Sequence, residues 1–226
     1  MSEVLEVDLR DEAGALLAAR AAAAILRAGE LVVVPTETVY GIACRPDDPA
    51  TTARLFEAKR RPRGLNLPVL AATAEEALAL AEVPPEAAAL AAELWPGPLT
   101  IVLRRSATSA SWDLGDERET IGIRVPDLTV TRAVLGEMGP LGVTSANRSG
   151  EAPATDRAAL LDAFGDTVSL YLVAAGERLA GAPSTVVDLT DAPRVEILRS
   201  GSLSRERIHA VLASSGRAPQ WVDFPR

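Results

Sequence analysis

The chain has 226 residues, of which 48% are hydrophobic, and its formal net charge is −8. This composition can bury a full core, which excludes a disordered protein, and the negative charge disfavours strong non-specific binding to nucleic acid. The single cysteine, Cys44, and the single histidine, His209, exclude a disulfide framework, a multi-cysteine metal site and a histidine pair for zinc. Because the first residues are acidic and arginines close the longest apolar stretch, we predict a cytoplasmic protein without a membrane segment.

Short apolar strands alternate with helical stretches along nearly the whole chain, and no internal repeat interrupts them. Asp11 and Asp48 are good N-cap residues for two of the helices, and Pro49 suits the first turn of the second. We predict helices over 11–27, 48–59, 74–80, 85–94, 129–138 and 155–164, and an amphipathic helix around His209. We predict strands over 31–35, 67–71, 99–104, 120–125, 141–143, 168–173, 185–189 and 195–198.

The connections between these elements indicate the fold class. Some strands are joined by helices and others by short turns, which is typical of a mixed sheet and not of a purely parallel one. We therefore predict a single α/β domain, with a twisted mixed sheet and flanking helices, over residues 1–213. The C-terminal tail over 214–226 is expected to be frayed.

Five basic residues fall within a short segment of an otherwise acidic chain: Arg54, Lys59, Arg60, Arg61 and Arg63. By composition alone a solvated helix face explains them equally well, with Lys59 favourably placed at a helix C-terminus. The turn RRPRG favours the other interpretation, because its proline and glycine would bring several guanidinium groups together on phosphate oxygens. We interpret the cluster as a site for a triphosphate.

The polar loop PTETVYG follows the predicted strand over 31–35, at the strand end where α/β sheets usually bind ligands. Thr36 and Thr38 offer hydroxyl groups in this loop. Glu37 is either a base, a magnesium contact or a residue that orders the loop, and Tyr40 is explained by packing alone.

A second polar loop, TSANRSG, follows the predicted strand over 141–143, and Ser145, Asn147 and Ser149 are its candidate ligand contacts. Ser184 in GAPST and Arg199 in ILRSG are further candidates. Each of these segments taken alone is more often a turn or a helix cap, so none of them assigns a function by itself.

Arg124 is a different case, because it lies among apolar residues in the predicted strand TIGIRV. An arginine in such surroundings needs an anionic partner. That partner is either a substrate carboxylate or a structural carboxylate in a buried ion pair, and the sequence leaves both open. The standard motifs GxxxxGK[ST], GxGxxG, GxSxG and HExxH are absent.

Seven motifs occur in order along the chain: GELVVVPTETVYGIAC, EAKRRP, WPGPLTIVL, TIGIRVP, GVTSANRSG, STVVD and ILRSG. In this order and spacing the chain resembles the YrdC/Sua5 family of threonylcarbamoyl-AMP synthases, and its length resembles the short, YrdC-like form. The resemblance implies a twisted α/β sheet with a concave basic face. It also implies formation of threonylcarbamoyl-AMP and pyrophosphate from L-threonine, bicarbonate and ATP, for the N6-threonylcarbamoyladenosine (t6A) modification of tRNA.

The resemblance further implies a role for each matched residue. The implied catalytic cations are Lys59 and Arg61. The implied ATP contacts are Lys59, Arg61, Arg63, Thr120, Ser145 and Arg199. The implied threonine contacts are Thr36, Arg124, Val143, Thr144 and Ser184, while Asn147 and Ser149 would shape their loop. No protein ligand for a metal is implied, and Mg²⁺ would arrive with the ATP phosphates. The segment RPRGLNLP departs from the usual family pattern, which leaves the duty of Arg63 and a contact near Pro68 open.

The resemblance also implies partners and leaves alternatives. The product would pass to a threonylcarbamoyl transferase complex, and a weak contact with tRNA is expected. An RNA-binding module is the first alternative, although an aromatic content of 4% is low for base stacking. A non-catalytic nucleotide-binding regulator and a carbamoyl-transfer domain of the hydrogenase-maturation type are the others.

Overall fold

The computed structural model describes residues 2–176, 179 and 181–222, in which eleven strands form one sheet flanked by seven α-helices. The strands are β1 (Glu3–Val7), β2 (Val32–Val34), β3 (Gly41–Cys44), β4 (Val69–Leu70), β5 (Leu99–Arg104), β6 (Thr120–Arg124), β7 (Leu141–Ser145), β8 (Leu170–Ala174), β9 (Thr185–Asp188), β10 (Arg194–Arg199) and β11 (Gln220–Val222). The helices are α1 (Glu12–Arg27), α2 (Pro49–Lys59), α3 (Ala74–Ala79), α4 (Pro85–Leu94), α5 (Thr129–Met138), α6 (Arg157–Phe164) and α7 (Arg205–Ser214).

The sheet has the order β1-β8-β2-β3-β7-β4-β6-β5-β9-β10-β11. Its neighbours are both parallel, as in β1 with β8, and antiparallel, as in β2 with β3. The predicted mixed α/β sheet with flanking helices is therefore confirmed.

The sequence does not predict β1, β3 or β11. All four residues of β3 are buried, and β3 pairs with β2 and β7, so it lacks the apolar–polar alternation that marks a half-exposed strand. β11 pairs in parallel with β10, from Arg194 opposite Gln220 to Glu196 opposite Val222. The expectation of a frayed tail is therefore wrong for residues 220–222, because backbone pairing to the sheet holds them.

The ends of α2 position the basic segment. Asp48 accepts a hydrogen bond from the backbone N–H of Ala50 and begins the helix, as predicted. The helix ends at Lys59 because Arg60 adopts a left-handed backbone conformation, with φ 49° and ψ 41°. The backbone N–H of Arg61 then bonds to the carbonyl of Phe56, which closes the last turn. This tight reversal lets Lys59 and Arg61 leave the helix end in different directions.

The sheet separates two layers of buried apolar residues. On one face, residues of β5 and β6 pack with α2, α4 and α7 in the larger cluster. On the other face, α1 packs against α5 and contacts β1, β2 and β8, and residues of all these elements belong to the smaller cluster. Leu70 of β4 belongs to the smaller cluster and also lines a cavity, so this cavity opens beside the α1–α5 layer. No helix in the described part of the chain has the length and hydropathy needed to cross a membrane.

Candidate active site

A cavity of about 600 Å³ lies on the part of the sheet that α1 and α5 leave uncovered. Successive side chains of a strand point to opposite faces, and β6 uses this alternation. Thr120, Gly122 and Arg124 line the cavity, whereas Ile121 and Ile123 are buried in the larger cluster. Arg124 thus lies on the polar face of its strand. The volume is that of a site for small molecules.

Most of the predicted site residues line this one cavity, although they come from distant parts of the chain. They are Thr36, Arg61, Thr120, Arg124, Val143, Thr144, Ser145, Asn147, Ser184 and Arg199. Pro68, from the segment that departs from the family pattern, lines it as well. The predicted residues that do not line it are Lys59, Arg63 and Ser149.

Three guanidinium groups give the cavity its positive charge. Arg61 donates from Nε to the carbonyl of Leu65 at 2.8 Å, and Arg199 donates from Nη2 to the hydroxyl of Ser184 at 2.9 Å. Burial, and then the neighbouring Arg199, lowers the pKa of Arg61. Burial, and then Arg124, lowers the pKa of Arg199. The groups therefore repel one another across the cavity, and a bound anion would relieve that repulsion.

Lys59 lies beside the cavity and supports one of its loops. The residue is only 1% exposed, and its Nζ donates to the backbone carbonyls of Ser145 and Asn147. Burial, and then Arg61, lowers the pKa of Lys59 to about 7. Because Ser145 lines the cavity, the ammonium group is one residue layer away from any ligand bound there.

The loop TSANRSG is held by its own hydrogen bonds. Asn147 donates from Nδ2 to the carbonyl of Glu151 at 2.7 Å, and its Oδ1 accepts from the hydroxyl of Ser145. Ser149 contributes through its backbone N–H, which donates to the carbonyl of Lys59 at 2.9 Å. These contacts support the predicted loop-shaping role of both residues.

The loop PTETVYG uses its hydroxyl groups internally. Thr36 donates from Oγ1 to the carbonyl of Val39 at 2.6 Å, so its single proton is committed within the loop. Thr38 Oγ1 lies 2.8 Å from Thr36 Oγ1 and accepts from both Nη atoms of Arg124 at 3.1 Å. Thr36 therefore orders the loop as well as lining the cavity, and its contact with threonine stays a prediction.

Arg124 has the structural carboxylate that the sequence left open, and the substrate carboxylate stays a prediction. Its Nη2 lies 2.7 Å from a carboxylate oxygen of Glu37, which is the structural ion pair. It also lines the cavity, where a substrate carboxylate could reach it. Glu37 itself does not line the cavity, so it reaches the site only through its ion pair with Arg124.

Arg63 is engaged outside the cavity. Its Nη2 lies 2.5 Å from Asp113, its Nε lies 3.3 Å from Asp116, and its guanidinium carbon lies 4.9 Å from the ring centre of Phe56. These two carboxylates balance the charge of the Arg63 guanidinium group, so it does not need a phosphate as a partner. A contact from Arg63 to ATP would require release from both ion pairs and stays a prediction.

The sequence analysis missed Thr100, which lines the cavity and lies 2.9 Å from the hydroxyl of Ser184. The alternation in β5 could have found it, because Thr100 and Val102 share one face while Ile101 and Leu103 enter the core. Among the residues that the structure describes, no group of three His, Cys, Asp or Glu side chains could hold a metal ion.

Comparison with known proteins assigns the family. The family model Sua5_yciO_yrdC, described as "Telomere recombination", matches residues 24–201. The chain belongs to the Sua5/YciO/YrdC family. The matched range contains every predicted site residue, from Thr36 to Arg199, so the resemblance inferred from the seven motifs is confirmed.

Relatives within the Sua5/YciO/YrdC family cover most of the chain. A Mycobacterium tuberculosis protein, provisionally named a threonylcarbamoyl-AMP synthase, is 43% identical over 190 residues, which are 83% of this chain and 85% of the relative. Threonylcarbamoyl-AMP synthase of Chromohalobacter salexigens is 37% identical over 170 residues, 74% of this chain and 90% of the relative. The structure of Pyrococcus abyssi Sua5 complexed with L-threonine superposes with a TM-score of 0.81 at 33% identity, covering 93% of this chain and 61% of that chain. The present chain therefore matches less than two thirds of that Pyrococcus chain.

Proposed function

We propose that the chain is an L-threonylcarbamoyladenylate synthase, a nucleotidyltransferase that uses L-threonine, bicarbonate and ATP. The observation that carries the proposal is one cavity lined by Arg61, Arg124 and Arg199. Among the described residues, Arg61 and Arg199 donate hydrogen bonds only to carbonyl and hydroxyl oxygens, so no protein carboxylate accepts from them. Such a cavity suits a polyanion together with an amino-acid carboxylate. Relatives with the synthase name and a threonine-bound structural neighbour support the same activity.

The reaction needs positioning and charge neutralisation more than a protein nucleophile. Bicarbonate takes up a proton and loses water to give carbon dioxide. The amine of threonine then adds to the carbon of carbon dioxide and releases a proton, which forms a carbamate. A carbamate oxygen then attacks the α-phosphorus of ATP, the bond from that phosphorus to the bridging oxygen breaks, and pyrophosphate leaves with the bond electrons. Negative charge is moved and not created, so preorganised cations that hold the phosphates lower the barrier.

The residues divide between the two substrates. We assign the phosphates to Arg61 and Arg199 and the threonine carboxylate to Arg124. Lys59 does not contact the phosphates in this assignment. Its ammonium group attracts them electrostatically from its position next to Ser145. Magnesium would arrive on the ATP phosphates and neutralise part of their charge, since the carboxylates that line the cavity, Glu117 and Glu151, form no acidic cluster with others in the described part of the chain.

The product requires a second protein. Threonylcarbamoyl-AMP is a mixed anhydride, so a transferase must accept its threonylcarbamoyl group before water does. We assign that step to a threonylcarbamoyl transferase complex acting on tRNA to give t6A, in the cytoplasm where tRNA and ATP meet. The net charge of −8 gives no reason to assign more than a weak direct contact with tRNA.

The proposal is tested by pyrophosphate release. Release is expected only when ATP, L-threonine and bicarbonate are all present. Arg61→Ala is expected to lower the rate about 100-fold or more, because it removes a preorganised cation from the phosphates. Arg20→Ala, on the exposed face of α1, is the matched control and should keep the wild-type rate. Release that does not depend on threonine or on bicarbonate would contradict the proposal.

A further inference from the structure

Arg124 faces the cavity with most of its hydrogen-bond donors already engaged by the protein. Its Nε donates to the carbonyl of Gly97 at 3.1 Å, and Nη1 and Nη2 both donate to Thr38 Oγ1 at 3.1 Å. Nη2 also lies 2.7 Å from Glu37 Oε1. Among the described residues, hydrogen bonds use three of the five N–H donors of the guanidinium group, and Glu37 lies against Nη2 without an aligned hydrogen bond, so the second hydrogen of Nη1 is the one left away from a protein carboxylate.

This arrangement limits how Arg124 can bind a carboxylate. A bidentate contact needs two adjacent donors, and each adjacent pair here includes a donor that Gly97 or Thr38 already uses. A substrate carboxylate would therefore accept one hydrogen bond from Arg124 and be attracted by the charge of its guanidinium group. With a single hydrogen, a small rotation of the guanidinium plane turns the donor away from the ligand, so its orientation decides affinity.

Glu37 holds that orientation by charge. Both of its carboxylate oxygens are buried, and neither accepts an aligned hydrogen bond from the described residues, although one lies 2.7 Å from Arg124. The Glu37 side chain is 21% exposed and that of Arg124 is 7% exposed. A buried carboxylate with so few hydrogen bonds is costly, and the guanidinium charge is what compensates it.

We propose that Glu37 is a positioning residue for threonine binding, which fixes Arg124 from behind the cavity so that its free Nη1 hydrogen faces the amino-acid carboxylate. The inference rests on the proposed function, because it assigns a duty within that same site to a group that does not line the cavity. Without the negative charge, Nη2 keeps its hydrogen bond to Thr38 but loses the ion pair with Glu37, and the guanidinium group can turn about its remaining contacts.

Steady-state kinetics test this positioning role. Glu37→Gln is expected to raise the KM for L-threonine about tenfold, the effect of losing one well-oriented contact, and to change the KM for ATP by less than about twofold. Glu37→Asp keeps the charge on a shorter side chain and should restore part of the threonine affinity. Glu93→Gln, on the exposed side of α4, removes an equal charge and should behave as wild type.

A ligand without a carboxylate separates positioning from general structure. Calorimetry with a non-hydrolysable ATP analogue present would compare L-threonine with L-threoninamide. If Glu37 acts through Arg124, Glu37→Gln weakens L-threonine binding about tenfold and leaves L-threoninamide binding unchanged. A change that merely loosens the fold would weaken both ligands.

The outcomes separate this proposal from the proposed function. A wild-type protein without threonine-dependent turnover would overturn both. Wild-type turnover together with an unchanged threonine KM in Glu37→Gln, or equal weakening of L-threonine and L-threoninamide, would overturn the role of Glu37 alone. Thermal unfolding of each variant reports retention of the fold, and Glu37→Asp carries the test if Glu37→Gln does not fold.

Discussion

The buried charge of Lys59 is expected to make nucleotide affinity fall as the pH rises above neutrality. The pKa of Lys59 is lowered to about 7, first by burial and then by Arg61, so the free protein carries this charge in about half of its molecules at pH 7. At pH 9 the charged fraction is about one hundredth. If the nucleotide binds the charged form, its Kd should rise about 50-fold between these two pH values. The sign follows because bound phosphate favours the ammonium form, so binding takes up a proton.

Calorimetry with a non-hydrolysable ATP analogue, from pH 7 to 9 and without threonine, measures this effect. The second pKa of a phosphate group is about 6, so the ligand changes its ionisation little over this range. Lys59→Arg is the matched control, because a guanidinium group stays charged and its profile should be flat. A flat profile for the wild type would refute the reasoning, since it would mean that the carbonyls of Ser145 and Asn147 keep Lys59 charged or that Lys59 does not act on the phosphates.

Three other substitutions test the geometry around the cavity. Arg199→Lys removes the fork that holds Ser184, so steady-state KM values for L-threonine and ATP should both rise about tenfold, and an unchanged pair would contradict this. Arg60→Gly relieves a left-handed backbone with φ 49°, so the midpoint of thermal unfolding should rise by about 2–4 °C, whereas a fall would contradict the strain. Gly181→Ala places a Cβ atom 2.2 Å from the carbonyl oxygen of Thr38, so the unfolding midpoint should fall by several degrees and the threonine KM should rise; wild-type values for both would refute the close approach.

The elements that the sequence predicts well have a clear pattern of apolar residues and clear residues at which they begin and end. α1 has an Ala/Leu-rich run between its N-cap at Asp11 and Gly29, which has a positive φ. Its observed bounds are within one residue of the predicted ones. β1 fails for the opposite reason, because exposed Glu3 and Glu6 interrupt a run of only five residues. β1 is stabilised by pairing with β8, which is distant in the chain, and such pairing cannot be detected from the residues of β1 themselves.

The candidate site shows the same limit. The apolar neighbours of Arg124 in the sequence are enough to mark it as unusual, and the motifs locate most of the predicted residues that line the cavity. No local pattern shows that Glu37 pairs with Arg124 or that Asp113 pairs with Arg63, because these contacts join separate segments through the fold. Sequence analysis therefore identified the groups, and the structure was needed to show which of them are already engaged.

The central claim is that one cavity joins ATP, bicarbonate and threonine. Its most direct test is mass spectrometry after incubation of the protein with ATP, L-threonine and ¹³C-labelled bicarbonate. We expect threonylcarbamoyl-AMP with the label in its carbamoyl carbon, and we expect it to be absent with Arg61→Ala. Pyrophosphate release without a labelled adenylate, or a labelled adenylate formed without L-threonine, would contradict the claim.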